Sequence, residues 1–469
     1  MKTATQLKIK KSKWNFLMIP FILFMIFFSN NLFAQPLILG TLVSPNEVSN
    51  GFFGFSVNGL GDLNGDGYAD VIVGARETVL GLGTAGRAYV FSGGGAGAGT
   101  VLYTLVSPNA SAAGYFGESV GKAGDINKDG FMDIIVGAPG EDLAGGKSGA
   151  GRVYIFSGNG GGLLYTFVSP NAESGGNFGQ SVAAAGDVNN DTYPDIIIGA
   201  NENHGSGPAN AKRGRAYIYS GNGGGLLYTL ISPNAEGYGY FGSAGSGSSS
   251  AAVMGIGDIN KDGYADVSVG ARGETVGGIS AAGRAYIFSG NGGGLLYTFI
   301  SPNPVANTYF GNVVNTAGDI NNDTYPDMII PGDGETVGAF TTAGRAYVFS
   351  GNGGGLLYSF ISPNVQTDGR FGWSAANAGD MNNDTRPDII VGAQKETVGG
   401  TIATGRAYVF SGIDGSLLYT FISANPETSG RFGKSVAAAG DYDNDGNLDI
   451  IIGADFENPG TSPLNAGRA

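Results

Sequence analysis

Residues 116–139 read FGESVGKAGDINKDGFMDIIVGAP, and the same order of parts recurs along the chain. A Phe-Gly pair opens the stretch, a short apolar segment follows, and an acidic loop begins at Asp125. A β-branched run then ends in Gly137-Ala138. Short runs rich in Val, Ile, Tyr and Phe that are bounded by Gly, Pro or Asn are typical of strands. This stretch therefore predicts two strands that are joined by an acidic turn.

Phe-Gly pairs set the period of the repeat. Consecutive pairs are 61 to 63 residues apart, except for one interval of 69 residues, in which residues 243–250 add a Gly/Ser-rich loop insertion. After its Gly-Ala pair, a repeat continues with a variable loop, a run such as GRAYVFSG at residues 86–93, and a run such as LLYTFISPN at residues 295–303. The pairs are Phe53-Gly54, Phe116-Gly117, Phe178-Gly179, Phe241-Gly242, Phe310-Gly311, Phe371-Gly372 and Phe432-Gly433.

The repeats predict an all-β protein, a seven-bladed β-propeller of four-stranded antiparallel blades over residues 35–469. A lone four-stranded sheet cannot bury both faces, whereas sheets packed around an axis do so and leave only short edges. Residues 37–46 (LILGTLVSPN) match the fourth strand of the other repeats, so we expect them to close the last blade. The last repeat stops at Ala469, where its third strand begins. We expect a truncated C-terminus; a natural ending there is the alternative.

Residues 1–34 have the parts of a signal peptide. A lysine-rich segment precedes an apolar run at residues 16–28, and Ala34 closes a plausible cleavage site. The apolar run is shorter than the roughly 20 residues that a membrane span needs. We therefore expect a secreted or cell-surface protein with no membrane span in the mature chain. An uncleaved N-terminal anchor is the alternative.

Composition narrows the class of protein further. The chain has no cysteine, so disulfides are excluded, and their absence favours a bacterial source because exported eukaryotic domains commonly carry them. Of the 39 acidic residues, 22 lie in the acidic loops, so most of the acidity behind the net charge of −14 belongs to side chains that could bind a metal. An acidic chain is a poor match for nucleic acid, and we expect no nucleic-acid partner. We expect a monomer.

Seven acidic loops carry the clearest chemistry, and each reads D-x-[DN]-x-D-x-x-x-D. Side-chain oxygens at positions 1, 3, 5 and 9 and the backbone carbonyl of position 7 can surround a hard cation. Ca²⁺ takes about 6–8 oxygens at about 2.3–2.6 Å, which suits such a loop better than the tighter octahedron of Mg²⁺. The sequence therefore predicts up to seven Ca²⁺, one per blade. The candidate ligands are Asp62, Asn64, Asp66, Tyr68, Asp70, Asp125, Asn127, Asp129, Phe131, Asp133, Asp187, Asn189, Asp191, Tyr193, Asp195, Asp258, Asn260, Asp262, Tyr264, Asp266, Asp319, Asn321, Asp323, Tyr325, Asp327, Asp380, Asn382, Asp384, Arg386, Asp388, Asp441, Asp443, Asp445, Asn447 and Asp449.

The seven loops differ at position 6. A β-branched residue is costly at positive φ, so if position 6 needs such a φ we predict weaker Ca²⁺ binding in the loops that carry Thr there. Asx-rich turns also occur without metal, and that alternative applies more to one loop than to seven in register. Position 6 is Gly67, Gly130, Gly263 and Gly446 in four loops and Thr192, Thr324 and Thr385 in three.

A second set of repeated residues, which we call the Glu–Arg ladder, pairs a Glu after each Gly-Ala position with the Arg that opens the third strand. Because both flank one hairpin loop, we predict a Glu–Arg ion pair in each blade, exposed and therefore contributing only about 0–1 kcal/mol. A ring of ligand-binding arginines is the alternative. The pairs are Glu77/Arg87, Glu141/Arg152, Glu202/Arg215, Glu274/Arg284, Glu335/Arg345, Glu396/Arg406 and Glu457/Arg468.

These parts together resemble the FG-GAP repeat family, which includes the N-terminal propeller of integrin α subunits. The resemblance is carried by Phe116-Gly117, by the loop at residues 125–133 and by the triplet Gly137-Ala138-Pro139. It covers about residues 37–469 and implies a seven-bladed propeller with Ca²⁺ in hairpin loops on one face. The fifth repeat departs from the pattern, because Pro331-Gly332-Asp333 stands where Gly-Ala is expected.

No constellation in the sequence points to an enzyme. The single histidine, His204, lies in a variable loop, and the G-x-S-x-G match at residues 117–121 is a by-product of the repeat. We predict no catalytic activity and an extracellular adhesion or protein-interaction module, whose partner is a protein or a glycan. The alternatives are a carbohydrate-binding propeller and, third, a polysaccharide-degrading enzyme. The lectin alternative would use a ring of fourth-strand tyrosines: Tyr103, Tyr165, Tyr228, Tyr297, Tyr358 and Tyr419.

Overall fold

A computed structural model describes residues 38–79, 81–94, 99–204, 211–234, 236–244, 251–458, 460 and 462–469. The expected signal peptide, residues 1–34, lies outside these ranges. Within them the chain forms 26 strands, β1–β26, and no helix. The described part therefore contains no helix that could span a membrane.

Six sheets have four antiparallel strands each, hydrogen-bonded in chain order. They are blade 1, β1–β4 (Ser56–Gly61, Asp70–Ala75, Arg87–Phe91, Val101–Leu105); blade 2, β5–β8 (Ser119–Gly124, Asp133–Ala138, Arg152–Phe156, Leu163–Phe167); blade 3, β9–β12 (Ser181–Gly186, Asp195–Ala200, Arg215–Tyr219, Leu226–Leu230); blade 4, β13–β16 (Val253–Gly257, Asp266–Ala271, Arg284–Phe288, Leu295–Phe299); blade 5, β17–β20 (Asn315–Gly318, Asp327–Gly332, Arg345–Phe349, Leu356–Phe360); and blade 6, β21–β24 (Phe371–Gly379, Asp388–Ala393, Arg406–Phe410, Leu417–Phe421). The predicted all-β propeller of four-stranded antiparallel blades is confirmed.

The core lies between the blades. The second strand of each of the six blades is buried along its whole length, because neighbouring sheets cover both of its faces. Ile72 and Val90 of blade 1, for example, share one apolar cluster with Ile134 and Val136 of blade 2. The first strands stand side by side around the axis, and small side chains on them line a cavity of about 550 Å³.

The recurring glycines mark the places where one blade touches the next. A Cβ on Gly74 would lie 2.0 Å from the carbonyl oxygen of Gly117, so a side chain there would force the blades apart. Gly117 itself has a φ of 86°, which favours glycine. The carbonyl of Gly117 also accepts a hydrogen bond of 2.8 Å from Ser56 Oγ. Phe116 is fully buried and meets Phe156 edge to face.

The last repeat departs from the prediction of seven four-stranded blades, which is wrong for this repeat. It forms a two-stranded sheet, β25 (Ser435–Gly440) and β26 (Asp449–Gly453), packed between blade 6 and blade 1. The third-strand positions form only isolated bridges, from Phe53 to Gly467 and from Ala454 to Arg468. The reason is that Arg468 and Ala469 supply only the first two of the five residues that the third strand has in the other blades.

The N-terminal segment closes the ring less completely than predicted. Residues 38–44 have no strand assignment. Leu42 and Ala469 nevertheless exchange two backbone hydrogen bonds, of 2.7 and 3.1 Å. Without the rest of a third strand beside it, the segment has one pair of ladder bonds instead of a full register. The predicted contact between the two chain ends is therefore present, but the fourth strand is not.

Candidate metal centre

The acidic loops connect the first and second strands of each sheet. In the first loop, Asp70 at position 9 begins β2 and is fully buried. Its Oδ2 accepts a hydrogen bond of 2.8 Å from the amide of Leu63, and its Oδ1 accepts one of 3.0 Å from the amide of Gly93. This carboxylate therefore ties the acidic loop to the turn between the third and fourth strands.

The front half of the loop wraps around its own carboxylates. Asp62 Oδ2 accepts a hydrogen bond of 2.8 Å from the amide of Gly67, and the same contact from position 6 to position 1 recurs in all seven loops. Asn64 Oδ1 and Asp66 Oδ1 accept backbone bonds from positions 5 and 7. The backbone thereby holds the oxygens of positions 1, 3 and 5 in one short turn.

All of the predicted ligand positions lie in the described residues. In the seventh loop, where Asp replaces Asn at position 3, carboxylate oxygens of Asp441, Asp443 and Asp449 lie within 4.8 Å of one another. That spacing suits a small group of oxygens around one cation. The position 7 residue, Tyr68 in the first loop, donates its amide to Asp66, and the use of its carbonyl as a ligand remains a prediction.

Position 6 has a positive φ in every loop. The glycines there have φ of 87° to 92°, and the threonines adopt the same left-handed region, with Thr192 at 73°, Thr324 at 72° and Thr385 at 75°. The conformational condition stated for position 6 is met, so these three loops carry a strained β-branched residue. Whether they bind the cation less tightly stays a prediction.

Electrostatics at the loops favours a cation. Burial, helped by the neighbouring Asp66 and Asp62 charges, raises the pKa of Asp70 to about 6 against the hydrogen bonds from the Leu63 and Gly93 amides. The equivalent carboxyls of the other loops have raised pKa values for the same first reason: Asp133, Asp195, Asp266, Asp327, Asp388 and Asp449. A bound divalent cation would offset both the burial and the repulsion.

Two lysines connect neighbouring acidic loops, and the sequence did not predict these contacts. Lys128 Nζ donates a hydrogen bond of 2.8 Å to Thr192 Oγ1 and lies 3.6 Å from the ring centroid of Tyr193. Lys261 Nζ makes the same two contacts with Thr324 and Tyr325. Each lysine lies in a loop with Gly at position 6, a glycine-type loop, and contacts the next loop, which has Thr at position 6, a threonine-type loop. These contacts link adjacent loops mechanically.

The predicted Glu–Arg pairs are present, but they are not exposed. Each glutamate is at most 2% exposed, and its pKa is raised by burial in six of the seven repeats. The carboxylate also accepts a bond from a third-strand tyrosine hydroxyl, as from Tyr154 to Glu141 at 2.6 Å. Serines from the preceding blade reach the same site, as Ser301 does with Glu335. The arginines are thus used inside the blades, and the ladder joins neighbouring blades.

Comparison with known proteins agrees with this repeat architecture. The sequence model of the family described as FG-GAP repeat matches just over half of the chain, at residues 53–91, 116–156, 178–219, 251–288, 371–410 and 432–469. The chain belongs to the FG-GAP repeat family. The fifth repeat, which carries Pro331 in place of the usual Gly, lies outside these matched segments.

Among curated proteins, integrin α chains are similar to this FG-GAP chain. Mouse integrin alpha-IIb is 37% identical over 158 residues, 32% of this chain and 15% of that protein. Integrin alpha-3 of Cricetulus griseus is 37% identical over 172 residues, 33% of this chain and 14% of that protein. Integrin alpha-4 of Xenopus laevis is 36% identical over 147 residues. The matched part thus spans about a seventh of the length of these relatives.

The FG-GAP motif positions also bring charged side chains together where the repeats differ. Arg76, which follows a Gly-Ala pair, forms an ion pair of 2.8 Å with Glu118, which follows a Phe-Gly pair. Lys434 is fully buried, with its Nζ 4.6 Å from the Phe55 ring and 5.0 Å from the Trp373 ring. The signal for this cluster was in the sequence, because the residue after Phe-Gly is different in every repeat: Phe55, Glu118, Gln180, Ser243, Asn312, Trp373 and Lys434.

The fourth-strand tyrosines do not form an open aromatic ring. Tyr103 is partly buried; its hydroxyl donates to the Gly158 carbonyl at 3.1 Å and accepts from the Gly160 amide at 3.0 Å. Tyr358 reaches the Gly412 carbonyl of the same turn type at 3.1 Å. These side chains pack against the turn of the next repeat.

Proposed function

We infer that this chain is a calcium-binding FG-GAP propeller that acts outside the cell as an adhesion or protein-interaction module. The observation that carries the calcium assignment is the set of seven in-register loops, each with a buried or half-buried aspartate behind a turn of Asp and Asn oxygens. Up to seven Ca²⁺, one per loop, would then hold the hairpins rigid in a chain without disulfides. The last two-stranded sheet serves as the seventh blade in this proposal.

A pair of matched substitutions tests the calcium assignment loop by loop. Asp262→Asn removes a ligand charge from a glycine-type loop, and Asp414→Asn removes an exposed carboxylate that lies outside the loops. We expect the first variant to lose one Ca²⁺ and the second to lose none, both measured by isothermal titration. Equal stoichiometry in both variants and the unchanged protein would contradict the assignment.

The interaction role is supported by family membership and by the non-identical loops between the second and third strands. One of these loops, residues 142–148, is mostly exposed and has its own internal bonds, such as Asp142 Oδ1 with the Gly149 amide. Because the blades are otherwise nearly alike, a partner would be recognised where they differ. The proposal places the mature protein in the extracellular space or at the cell surface, with a protein partner preferred to a glycan.

Binding assays can separate the protein partner from the glycan. The chain, with calcium or with EGTA, is applied to an array of extracellular proteins and to an array of glycans. We expect calcium-dependent capture on the protein array, lost when the residues 142–148 loop is replaced by the sixth-repeat loop, residues 397–403. Calcium-dependent binding that is confined to glycans would overturn the protein-partner proposal. Turnover of a polysaccharide by the purified chain would overturn the non-enzymatic proposal.

A further inference from the structure

Two of the seven repeats carry an arginine directly after the Gly-Ala pair, Arg76 in the first and Arg272 in the fourth. The first of these arginines has its partners within the molecule. Its guanidinium lies 4.0 Å from the ring centroid of Phe55 and 4.7 Å from that of Tyr115. It also forms the 2.8 Å ion pair with Glu118, a carboxylate that the next repeat supplies directly after its Phe-Gly pair. The first repeat therefore surrounds this arginine with two aromatic rings and one carboxylate.

Arg272 has the two rings but not the carboxylate. Its guanidinium lies 4.3 Å from the ring centroid of Tyr240 and 5.6 Å from that of Tyr309, the counterpart of Tyr115. The residue after the next Phe-Gly pair is Asn312, where the other repeat has an acidic residue. Among the described residues, the side chain of Arg272 forms no ion pair and no hydrogen bond. Every Asp and Glu of the sequence lies within those residues, so no carboxylate of the chain pairs with this arginine.

The charges around Arg272 favour one more negative group. The carboxylate whose charge acts on this arginine is that of Asp333, which is already bound by Arg370 Nη1 at 2.9 Å. Arg370 Nε and Lys395 Nζ in turn share Asp368, at 3.1 and 3.0 Å. These five side chains carry three positive and two negative charges, so one positive charge is not compensated. Arg272 is partly exposed, so a ligand in solution has access to it.

An exposed tyrosine lies beside this arginine. Tyr238 is 59% exposed, and its ring centroid is 6.4 Å from that of Tyr240, the ring next to the Arg272 guanidinium. A Cβ on Gly273, the residue after Arg272, would lie 1.9 Å from the carbonyl oxygen of Tyr238, so the two segments are in close contact. Tyr and Arg are enriched among the residues that contribute most of the binding energy at protein–protein interfaces. This surface therefore favours an acidic side chain of a protein as the ligand.

We propose that Arg272 is a binding site for a carboxylate, the side chain of a glutamate or aspartate on a protein partner. A guanidinium can donate two parallel hydrogen bonds to one carboxylate, which makes arginine well suited to this ligand. The rings of Tyr240 and Tyr309 already hold the guanidinium in place, so binding orders little additional side chain. The carboxylate site stands on its own geometry, whereas the choice of a protein as the source rests on the proposed interaction role.

A small probe tests the site without the natural partner. The probe is N-acetyl-glutamate methylamide, a glutamate side chain on a blocked backbone, and its glutamine counterpart is the neutral control. Binding is followed at saturating calcium by the NMR signal of the Arg272 Nε–H group. We expect a saturable shift with the glutamate probe and about ten-fold weaker binding of the glutamine probe, because hydrogen bonds to a carboxylate are stronger. The absence of a saturable shift, or equal affinities for the two probes, would overturn the proposal.

A sugar acid separates a protein source of the carboxylate from a glycan source. Methyl glucuronide carries a carboxylate on a sugar ring and is titrated in the same way. A shift of the Arg272 signal by the glucuronide, with none by the glutamate probe, would overturn the assignment to a protein side chain. Because these probes replace the natural partner, failure to capture any protein on the array would count against the interaction role and not against the carboxylate site.

Substitutions in the two repeats locate the probe, with binding read from the probe itself by saturation-transfer NMR. Asn312→Glu places a carboxylate at the position that Glu118 has beside Arg76. The new side chain should pair with Arg272 and abolish probe binding. Arg272→Gln should also abolish it, while Arg76→Gln, the same change at the same repeat position, should leave it unaltered. Undiminished probe binding by Asn312→Glu would overturn the proposal even if Arg272→Gln fails to fold.

Discussion

At the scale of single residues, the conformation of one loop position separates two kinds of acidic loop. Thr192, Thr324 and Thr385 adopt φ near 73° at the position where the other loops have glycine. A left-handed conformation costs a non-glycine residue roughly 1–2 kcal/mol. Since the D-x-[DN]-x-D pattern is the same in all seven loops, the residue at position 6 is the clearest reason to expect unequal calcium affinities among them.

We predict that Thr385→Gly increases the calcium affinity of the sixth loop several-fold, because a glycine holds the required φ without strain. Calcium titrations followed by the melting temperature would measure the change. Gly263→Thr, the reverse substitution in the fourth loop, is the matched control and should weaken binding. If both substitutions leave the calcium dependence unchanged, position 6 does not set the affinity.

A second prediction at this scale concerns Lys434. Burial, helped by the charges of Arg431 and Arg76 and opposed by those of Asp455 and Glu118, lowers its pKa to about 8 from a usual 10.5. The unfolded chain therefore binds more protons than the folded chain between about pH 8 and 10.5, so stability rises with pH in that window. This group alone should add up to about 2 kcal/mol of stability between pH 8 and 10, measured by chemical denaturation as the difference between the unchanged protein and a variant without the lysine.

Lys434→Met should flatten that pH dependence, because the titrating group is gone. The buried tyrosines, whose pKa values are raised above the usual 10, oppose the gain increasingly as the pH approaches 10, but they do so equally in the variant and the unchanged protein. An equal rise in stability for the variant and the unchanged protein would assign the effect to another group.

At the scale of elements, the sequence predicted the strands well because every repeat states the same pattern. The acidic loop, the β-branched run and the GRAYVF run each became the expected turn or strand. The Glu–Arg pairing was correct, but its burial was not, because sequence spacing along one hairpin cannot reveal that Ser44 or Ser301 arrives from another part of the ring. That contact is set by packing between blades.

The ladder leads to a prediction about buried hydroxyls. Tyr347→Phe removes the 2.6 Å bond to the buried Glu335 and should lower the free energy of unfolding by about 1–3 kcal/mol. Tyr103→Phe, which removes a hydroxyl from a partly buried turn contact, should cost about 1 kcal/mol or less. Urea denaturation of both variants measures the difference, and an equal loss would mean that the buried carboxylate does not need the tyrosine.

At the scale of the whole molecule, the ring is closed by contacts between the two ends of the described chain. Leu42 bonds to Ala469, and Ser44 reaches Glu77 of blade 1. The repeats predicted seven four-stranded blades, whereas the last repeat forms two strands, and the sequence includes only the first two residues of its third strand. The charged cluster around Lys434 was signalled by the unequal residues after Phe-Gly, but their meeting could not be predicted because they come from different repeats.

Deletion of residues 38–46 should therefore weaken the closure. We expect a lower melting temperature and faster hydrogen exchange in β1, β25 and β26, which flank the closure, with little change in blade 4. Ser301→Ala, which removes an equivalent serine in a complete junction, is the local control. Uniformly faster exchange in all blades would instead indicate that the segment stabilises the ring only globally.

The central claim, that the FG-GAP loops are calcium sites, is tested most directly by counting the bound ions. Equilibrium dialysis of the purified chain against millimolar calcium gives the number of Ca²⁺ per chain. The loops predict at least four, for the glycine-type loops, and up to seven when the threonine-type loops also fill. A count below four would contradict the account.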